Sequence, residues 1–154
     1  MRVLIAYYSK TGNTAKISAA IEAGIESTGN GAYAQDIEGV EDLDLSKYDF
    51  VGFGSGVYFA RPAKEMTDLL KRLKGEGKKA FIFETAGLPA KALLSVFRKS
   101  VEERGFDVVG GFICKGLDNF GPLKLIGGIN KGHPDKKDLK DAEDFGKRMV
   151  SKIM

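Results

Sequence analysis

The chain has 154 residues, of which 43% are hydrophobic and 29% charged, as expected for one water-soluble domain covering residues 1–154. The net charge of +3 is spread along the sequence, and no apolar run approaches the roughly 20 residues of a membrane helix, which argues against nucleic acid and membrane as partners. Cys114 and His133 are the only cysteine and histidine, which excludes an intrachain disulfide and a typical zinc site and makes the cytoplasm the expected location.

Apolar runs suited to strands alternate with helical patterns along the chain. The predicted strands cover 2–7, 32–37, 50–54, 79–85 and 106–114. The predicted helices cover 13–27, 62–73, 88–104 and 135–153, the second beginning at Pro62 because proline is favoured at the first helical position. This alternation predicts an α/β fold with an open, doubly wound sheet of five parallel strands in the order 2-1-3-4-5 and helices on both faces.

Three segments follow the carboxyl ends of predicted strands, where open α/β sheets bind their ligands. The segments are 9–14, 55–60 and 84–88, and the predicted strand order brings them to one edge of the sheet. A ligand site at this edge is therefore expected.

The first segment is rich in hydroxyl groups and lies at a predicted helix start, where backbone N–H groups and the helix dipole favour a phosphate. The alternative is an ordinary turn with Thr11 or Asn13 as the helix cap. A Walker loop is excluded because no Gly-Lys-Ser or Gly-Lys-Thr occurs, and the segment has too few glycines for a dinucleotide fingerprint. The predicted phosphate-binding residues are Ser9, Lys10, Thr11, Gly12, Asn13 and Thr14.

This segment matches the flavodoxin pattern [ST]-x-T-G-x-T at every defined position, and the order of elements agrees over essentially the whole chain. The chain therefore resembles a flavodoxin. The resemblance implies bound FMN, with its phosphate in the first loop and its ring between the loops after the third and fourth strands. Lys10 occupies the variable position of the pattern and would face solvent. The residues implied around the ring are Ser55, Gly56, Val57, Tyr58, Phe59, Thr85, Ala86, Gly87 and Leu88.

The sequence also departs from typical flavodoxins. Leu88 stands where many members have an aromatic residue, and Gly56 is the only local glycine for the first ring loop, so we expect weaker stabilisation of the one-electron-reduced flavin. The net charge is positive, whereas typical flavodoxins are acidic. A long segment, 115–134, would fold over the flavin with Asp118 and Phe120 in contact with it; a plain surface loop is the alternative.

Two further side chains bear on the chemistry of the expected site. Glu84 lies beside the implied ring and either opposes negative charge on the reduced flavin or faces solvent as an ordinary strand-end residue. Cys114 ends an apolar strand and is expected to be buried and unreactive, because the sequence around it offers only Lys115 as an activating group.

The leading functional interpretation is an electron carrier that shuttles electrons between redox partner proteins during transient docking, with chemistry supplied by the flavin and no catalytic residue. The alternative is an NAD(P)H-dependent flavin or quinone oxidoreductase, since the same fold serves both roles. Whether the chain is an enzyme, and whether it is a monomer or a dimer, stays open. A response-regulator receiver domain is discounted because Tyr7-Tyr8 and Gly54-Ser55 occupy the positions of its acidic residues.

Overall fold

The computed structural model of the protein describes residues 1–116, 128 and 130–154. Its strands are β1 (Arg2–Tyr8), β2 (Gly31–Asp36), β3 (Phe50–Tyr58), β4 (Arg61–Pro62), β5 (Lys79–Ala86) and β6 (Asp107–Lys115). Its helices are α1 (Asn13–Glu26), α2 (Lys64–Leu70), α3 (Lys91–Glu102) and α4 (Lys136–Ile153). The predicted flavin contacts Asp118 and Phe120 lie outside the described residues. None of these four helices has both the length and the apolar character needed to cross a bilayer.

The five long strands form a parallel sheet in the order β2-β1-β3-β5-β6. This confirms the predicted order 2-1-3-4-5. The numbers differ only because the short strand β4, which lies outside the parallel sheet, was not predicted, so the predicted fourth and fifth strands are β5 and β6. β4 pairs antiparallel with the end of β3 and closes a hairpin there. The apolar runs of β1, β3 and β5 are buried almost throughout, because helices cover both faces of the central strands.

One face of the sheet is covered by α1 and α4, whose backbones touch. A Cβ atom added to Gly24 of α1 would lie 2.1 Å from the carbonyl oxygen of Glu143. A Cβ atom added to Gly146 of α4 would lie 2.5 Å from the carbonyl oxygen of Ile21. These two glycines therefore let the helices pack more closely than any larger residue allows. The opposite face is covered by α2 and α3, which contribute Met66, Leu69, Leu70, Phe97 and Val101 to the core.

Phenylalanine rings of β5 fill the space above glycines of β3. A Cβ atom on Gly54 would lie 2.1 Å from the ring of Phe83, so alanine at this position displaces a fully buried ring. We expect Gly54→Ala to lower the free energy of unfolding by about 2 kcal/mol, as measured by urea denaturation. Gly31→Ala is the matched control in β2, because its nearest neighbour would be 3.8 Å away, and no loss is expected there. Equal stability of the two variants would contradict this packing argument.

The helix predicted to begin at Pro62 begins two residues later, so that prediction is wrong. Pro62 belongs to β4 and pairs with Val57, and α2 starts at Lys64. The hairpin prevails over the local proline signal because the Ala63 N–H donates to the buried Ser55 hydroxyl oxygen at 2.8 Å. The predicted start of the third helix at Leu88 is also too early, since α3 begins at Lys91. Proline disfavours helical backbone in the residue before it, and Leu88 precedes Pro89.

Candidate functional site

The register of the sheet brings the three predicted segments to one edge. Tyr8 of β1 is paired with Ser55 of β3, and Gly56 of β3 is paired with Thr85 of β5. The segments 9–14, 55–60 and 84–88 therefore leave the sheet at nearly the same level. The predicted convergence of these segments is confirmed.

The first loop carries its hydroxyl groups at the start of α1. Gly12 is the helix N-cap with φ of +93°, and no side chain of the cap residue bonds the helix, so the alternative with Thr11 or Asn13 as the cap is wrong. The Ser9 hydroxyl oxygen accepts a hydrogen bond from the Ala15 N–H at 3.1 Å. The hydroxyl hydrogen of Ser9 is not used in that bond, which makes it a donor available to an anion at the helix start. Lys10 and Thr11 are exposed, as expected for a loop open to a ligand.

A buried hydrogen bond ties this loop to the end of β5. The hydroxyl oxygens of Thr14 and Thr85 lie 3.0 Å apart, and both side chains are buried. The Thr14 hydroxyl was predicted to contact the phosphate, and Thr85 was predicted to line the ring through its backbone. In the structure one hydroxyl donates a hydrogen bond to the other. The pair therefore fixes the segment 9–14 against the segment 84–88.

Removing one member of this pair is expected to cost more than removing both. Thr85→Val leaves the Thr14 hydroxyl buried without its partner, and we expect the free energy of unfolding to fall by about 1–3 kcal/mol. The double variant Thr14→Val with Thr85→Val removes both polar groups and should be more stable than the single variant. Urea denaturation of the four proteins in this cycle measures the coupling. Additive losses would mean that the hydroxyls do not depend on each other.

The second segment is mostly strand and not loop as predicted. β3 continues through Tyr58, and the chain then reverses in a two-residue turn in which Phe59 and Ala60 have φ of +50° and +63°. Ser55 is fully buried, and its hydroxyl oxygen accepts from Ala63, so its side chain supports the hairpin. The Tyr58 ring folds back beside Gly56, where an added Cβ atom would lie 2.9 Å from the Tyr58 hydroxyl oxygen.

Two large apolar side chains stand exposed at this edge, one on each ring loop. Phe59 at the hairpin turn is 84% exposed, and Leu88 after β5 is 82% exposed. Exposed apolar side chains that follow neighbouring strand ends indicate a surface that an apolar ligand or partner covers. The remaining predicted ring contacts are less exposed, since Val57 and Gly87 are half-buried and Ala86 is buried.

Asn130 was not predicted as a site residue, but its side chain contacts two backbone segments at this edge. Its side-chain amide donates to the carbonyl oxygen of Gly87 at 2.5 Å and lies 3.4 Å from the carbonyl oxygen of Gly116. Gly116 itself packs against Asn13 and Thr85, because a Cβ atom there would lie 2.9 Å from the Asn13 amide nitrogen. A sequence signal existed, since asparagine tolerates the left-handed backbone that Asn130 adopts with φ of +56°.

Glu84 is fully buried, so the alternative in which it faces solvent is wrong. Neither of its carboxyl oxygens has a hydrogen-bond partner, and it is the one fully buried acidic residue of the described chain. Burial raises the pKa of the Glu84 carboxyl from 4.5 to about 8. The group is therefore mainly protonated at neutral pH and places little negative charge near the site.

Cys114 is buried, as predicted. Burial raises the pKa of its thiol to about 12, and the carboxylates of Asp138, Asp135 and Asp141 act in the same direction. The thiolate form that reacts with electrophiles is therefore scarce at neutral pH.

A cluster of metal-binding residue types lies at the start of α4, formed by His133, Asp135 and Asp138. Asp135 and Asp138 cap the helix reciprocally, each accepting the backbone N–H of the other at 2.9 Å. His133 Nδ1 lies 2.6 Å from an Asp138 carboxyl oxygen. Helix capping accounts for both carboxylates, so the cluster needs no metal to explain it.

Comparison with known proteins agrees with this geometry. A family profile described as a flavodoxin domain matches residues 4–119. An uncharacterised protein of Methanocaldococcus jannaschii is 38% identical over 155 residues, which cover 97% of this chain and 99% of that protein.

Solved structures share the fold at lower identity. Oxidised flavodoxin 2 of Bacillus cereus has a TM-score of 0.76 and 22% identity over 99% of both chains. A flavoprotein of Lactobacillus acidophilus, solved in complex with FMN, has a TM-score of 0.59 and 24% identity over 73% of this chain and 92% of its own. The match to the family profile spans most of the sequence, and the fold agrees with it. The chain therefore belongs to the flavodoxin domain family.

Proposed function

We propose that this protein binds FMN at the edge formed by the three loops and serves as an electron carrier. The proposal rests on one observation: the start of α1, with its backbone N–H groups and the Ser9 hydroxyl, lies at the same sheet edge as two exposed apolar side chains. FMN has two parts that match these features: a phosphate for the helix start and a planar ring for the apolar side chains. The flavin, when bound, supplies the electron-transfer chemistry.

The residues of the first loop suit the phosphate of FMN. The start of α1 offers backbone N–H groups and the positive end of the helix dipole, and Ser9 adds a hydroxyl donor. Gly12 leaves space for a ligand, since an added Cβ atom would meet none of the described residues within 4 Å. In this proposal the Thr14–Thr85 bond holds the phosphate loop at a fixed distance from the ring loops.

The ring loops suit a flat apolar group. Phe59 and Leu88 are the apolar contacts on the two sides, and burying them under a ligand removes apolar surface from water. Asn130 holds the Gly87 carbonyl and thereby orients the backbone of the second ring loop. The FMN complex of the Lactobacillus acidophilus flavoprotein, which shares the fold, supports the choice of FMN.

A carrier requires no acid or base at the ring. Glu84 is fully buried and mainly protonated at neutral pH, which is compatible with this role. Redox partners would dock transiently at the exposed loops, as electron-transfer proteins do through small interfaces.

The test is a fluorescence titration of the flavin-free protein with FMN and with riboflavin. We expect FMN to bind at least about tenfold more tightly, because charge-assisted hydrogen bonds to the phosphate are about 1.5–3 kcal/mol each. Equal affinity for the two flavins would contradict the phosphate site. The loaded protein is then mixed with NADH or NADPH and a quinone, and steady turnover would identify a reductase in place of a carrier.

A further inference from the structure

A groove of about 1030 Å³ lies between α2, α3 and the β3–β4 hairpin, on the sheet face opposite α1 and α4. Apolar side chains from all three elements line it, among them Pro62 of β4, Leu70 of α2 and Val96 of α3. Val96 is a large apolar residue that is 43% exposed on a helix, so the groove remains open to solvent. The groove is continuous with the proposed flavin site, because Phe59 at the hairpin turn also lines it.

Positive charge dominates the lining of this α2–α3 groove. Arg61, Lys64, Lys71 and Arg104 contribute four cationic groups, whereas Glu103 is the one carboxylate that lines it. The surplus is marked for a chain whose net charge is only +3.

Asp68 offsets part of this charge, because it pairs with Lys64 and lies near Lys71, whereas Arg61 and Arg104 have no carboxylate partner among the described residues. Lys64 pairs with Asp68 at 2.9 Å, and both side chains are solvent-accessible. The Arg104 guanidinium donates to the Leu73 carbonyl at 3.1 Å, a neutral partner that leaves its charge in place. No carboxylate pairs with Arg61 in the described part of the chain, and its side chain is exposed.

The spacing of the cations points to an extended anionic partner. Lys64 begins α2 and Lys71 follows its end, so the two are about 10 Å apart along the helix at 1.5 Å per residue. Arg61 precedes α2 on the hairpin, and Arg104 follows the end of α3. A single phosphate or carboxylate cannot contact cations so widely spaced. Several carboxylates on the surface of a protein can.

We infer that the α2–α3 groove docks an acidic electron-transfer protein, an inference that rests on the proposed function as a carrier. Complementary charge steers such a partner to the groove, and the apolar floor gives it a surface to bury. Docking there places the partner next to Phe59 and hence next to the proposed flavin ring. The positive charge of this groove is opposite in sign to that expected for an acidic flavodoxin surface.

The first experiment measures electron transfer from the reduced, FMN-loaded protein to two haem proteins of opposite charge, acidic cytochrome b5 and basic cytochrome c. We expect the second-order rate constant with cytochrome b5 to fall about tenfold when NaCl rises from about 20 mM to about 200 mM. The rate constant with cytochrome c should stay constant or rise over the same range.

Two double variants with equal change in net charge localise the effect. Arg61→Glu with Lys71→Glu reverses charge in the groove, and we expect it to lower the low-salt rate with cytochrome b5 about tenfold. Lys47→Glu with Lys136→Glu reverses exposed charges away from the groove and should lower that rate less than about twofold. Equal losses in both double variants, or no salt dependence, would overturn the inference.

Failure of the proposed function is distinguishable from failure of this inference. A chain that does not retain FMN refutes the carrier proposal, and calorimetric titration of cytochrome b5 into the FMN-free chain then tests the groove alone. Weaker binding by the Arg61→Glu, Lys71→Glu variant than by the control variant supports the docking surface. Equal binding by the two variants overturns it.

Discussion

Replacing Gly12 by alanine is expected to weaken FMN binding about 5- to 30-fold while leaving riboflavin binding unchanged, because forcing an L-residue into this conformation costs about 1–2 kcal/mol. The strain falls on the loop that presents the first N–H groups of α1, since Gly12 is the N-cap with φ of +93°. Among the described residues the added methyl group meets no atom within 4 Å, so we expect the effect to come from the backbone. Fluorescence titration with both flavins measures it.

Gly77→Ala is the matched control for this prediction. Gly77 has φ of +81°, and its Cβ atom would also meet nothing within 4 Å, but it lies in the turn before β5 at the opposite edge of the sheet. Gly77→Ala should lose about 1–2 kcal/mol of stability and no FMN affinity. Gly12→Ala should lose FMN affinity, because its flavin-free loop relaxes from the strained conformation and must return to it when the phosphate binds. An equal loss of FMN affinity in both variants would assign the effect to general destabilisation and refute the phosphate loop.

Glu84→Gln is expected to stabilise the protein by about 3 kcal/mol at pH 7. Native Glu84 keeps its proton up to about pH 8, whereas an unfolded glutamate releases it near pH 4.5. Folding therefore takes up a proton between these values, and stability present below pH 4.5 is lost as the pH rises to 8. The loss amounts to about 1.4 kcal/mol per pH unit, which gives roughly 3 kcal/mol by pH 7.

The measurement is urea denaturation of wild type and variant across this pH range. The difference in unfolding free energy should be small near pH 4, grow steadily and level off above about pH 8. Glu102→Gln serves as the control, since its exposed pair with Arg98 is worth less than about 1 kcal/mol and should show no such rise. A difference that does not change with pH would mean that Glu84 ionises in the folded protein as it does in water.

The sheet could be predicted from the sequence because its central strands are buried on both faces. Burial requires continuous apolar runs, and the runs in β1, β3 and β5 are visible in the sequence. Their order followed from the rules for parallel connections and needed no individual contact. The hydroxyl-rich turn was equally visible, because its residues are consecutive.

The hairpin at the end of β3 could not be predicted because its turn carries no recognisable sequence signal. Pro62 is a strong helix-start signal by itself, but the pairing of Val57 with Pro62 and the bond from Ala63 to Ser55 prevail over it. Its turn residues, Phe59 and Ala60, lack the glycine or asparagine that normally marks such a turn.

The buried interactions of the candidate site also could not be predicted from the sequence. Thr14 and Thr85 are separated by 71 positions, so nothing in the chain indicates that their hydroxyls meet. The burial of Glu84 runs against the usual exposure of glutamate, and its strand lies between two neighbouring strands, β3 and β6. Interactions of this kind depend on how distant segments pack across the sheet, and a local sequence pattern does not predict that packing.

The contact between α1 and α4 has a consequence for how the protein is made. Gly24 and Gly146 let these helices touch, and α4 completes the apolar cluster that α1 forms with the sheet. During synthesis α1 leaves the ribosome long before α4. The apolar cluster that the two helices share is therefore incomplete until α4 has been translated. Domains of this topology complete their packing only when distant segments meet. We therefore expect the nascent chain to reach its native packing only after α4 has emerged.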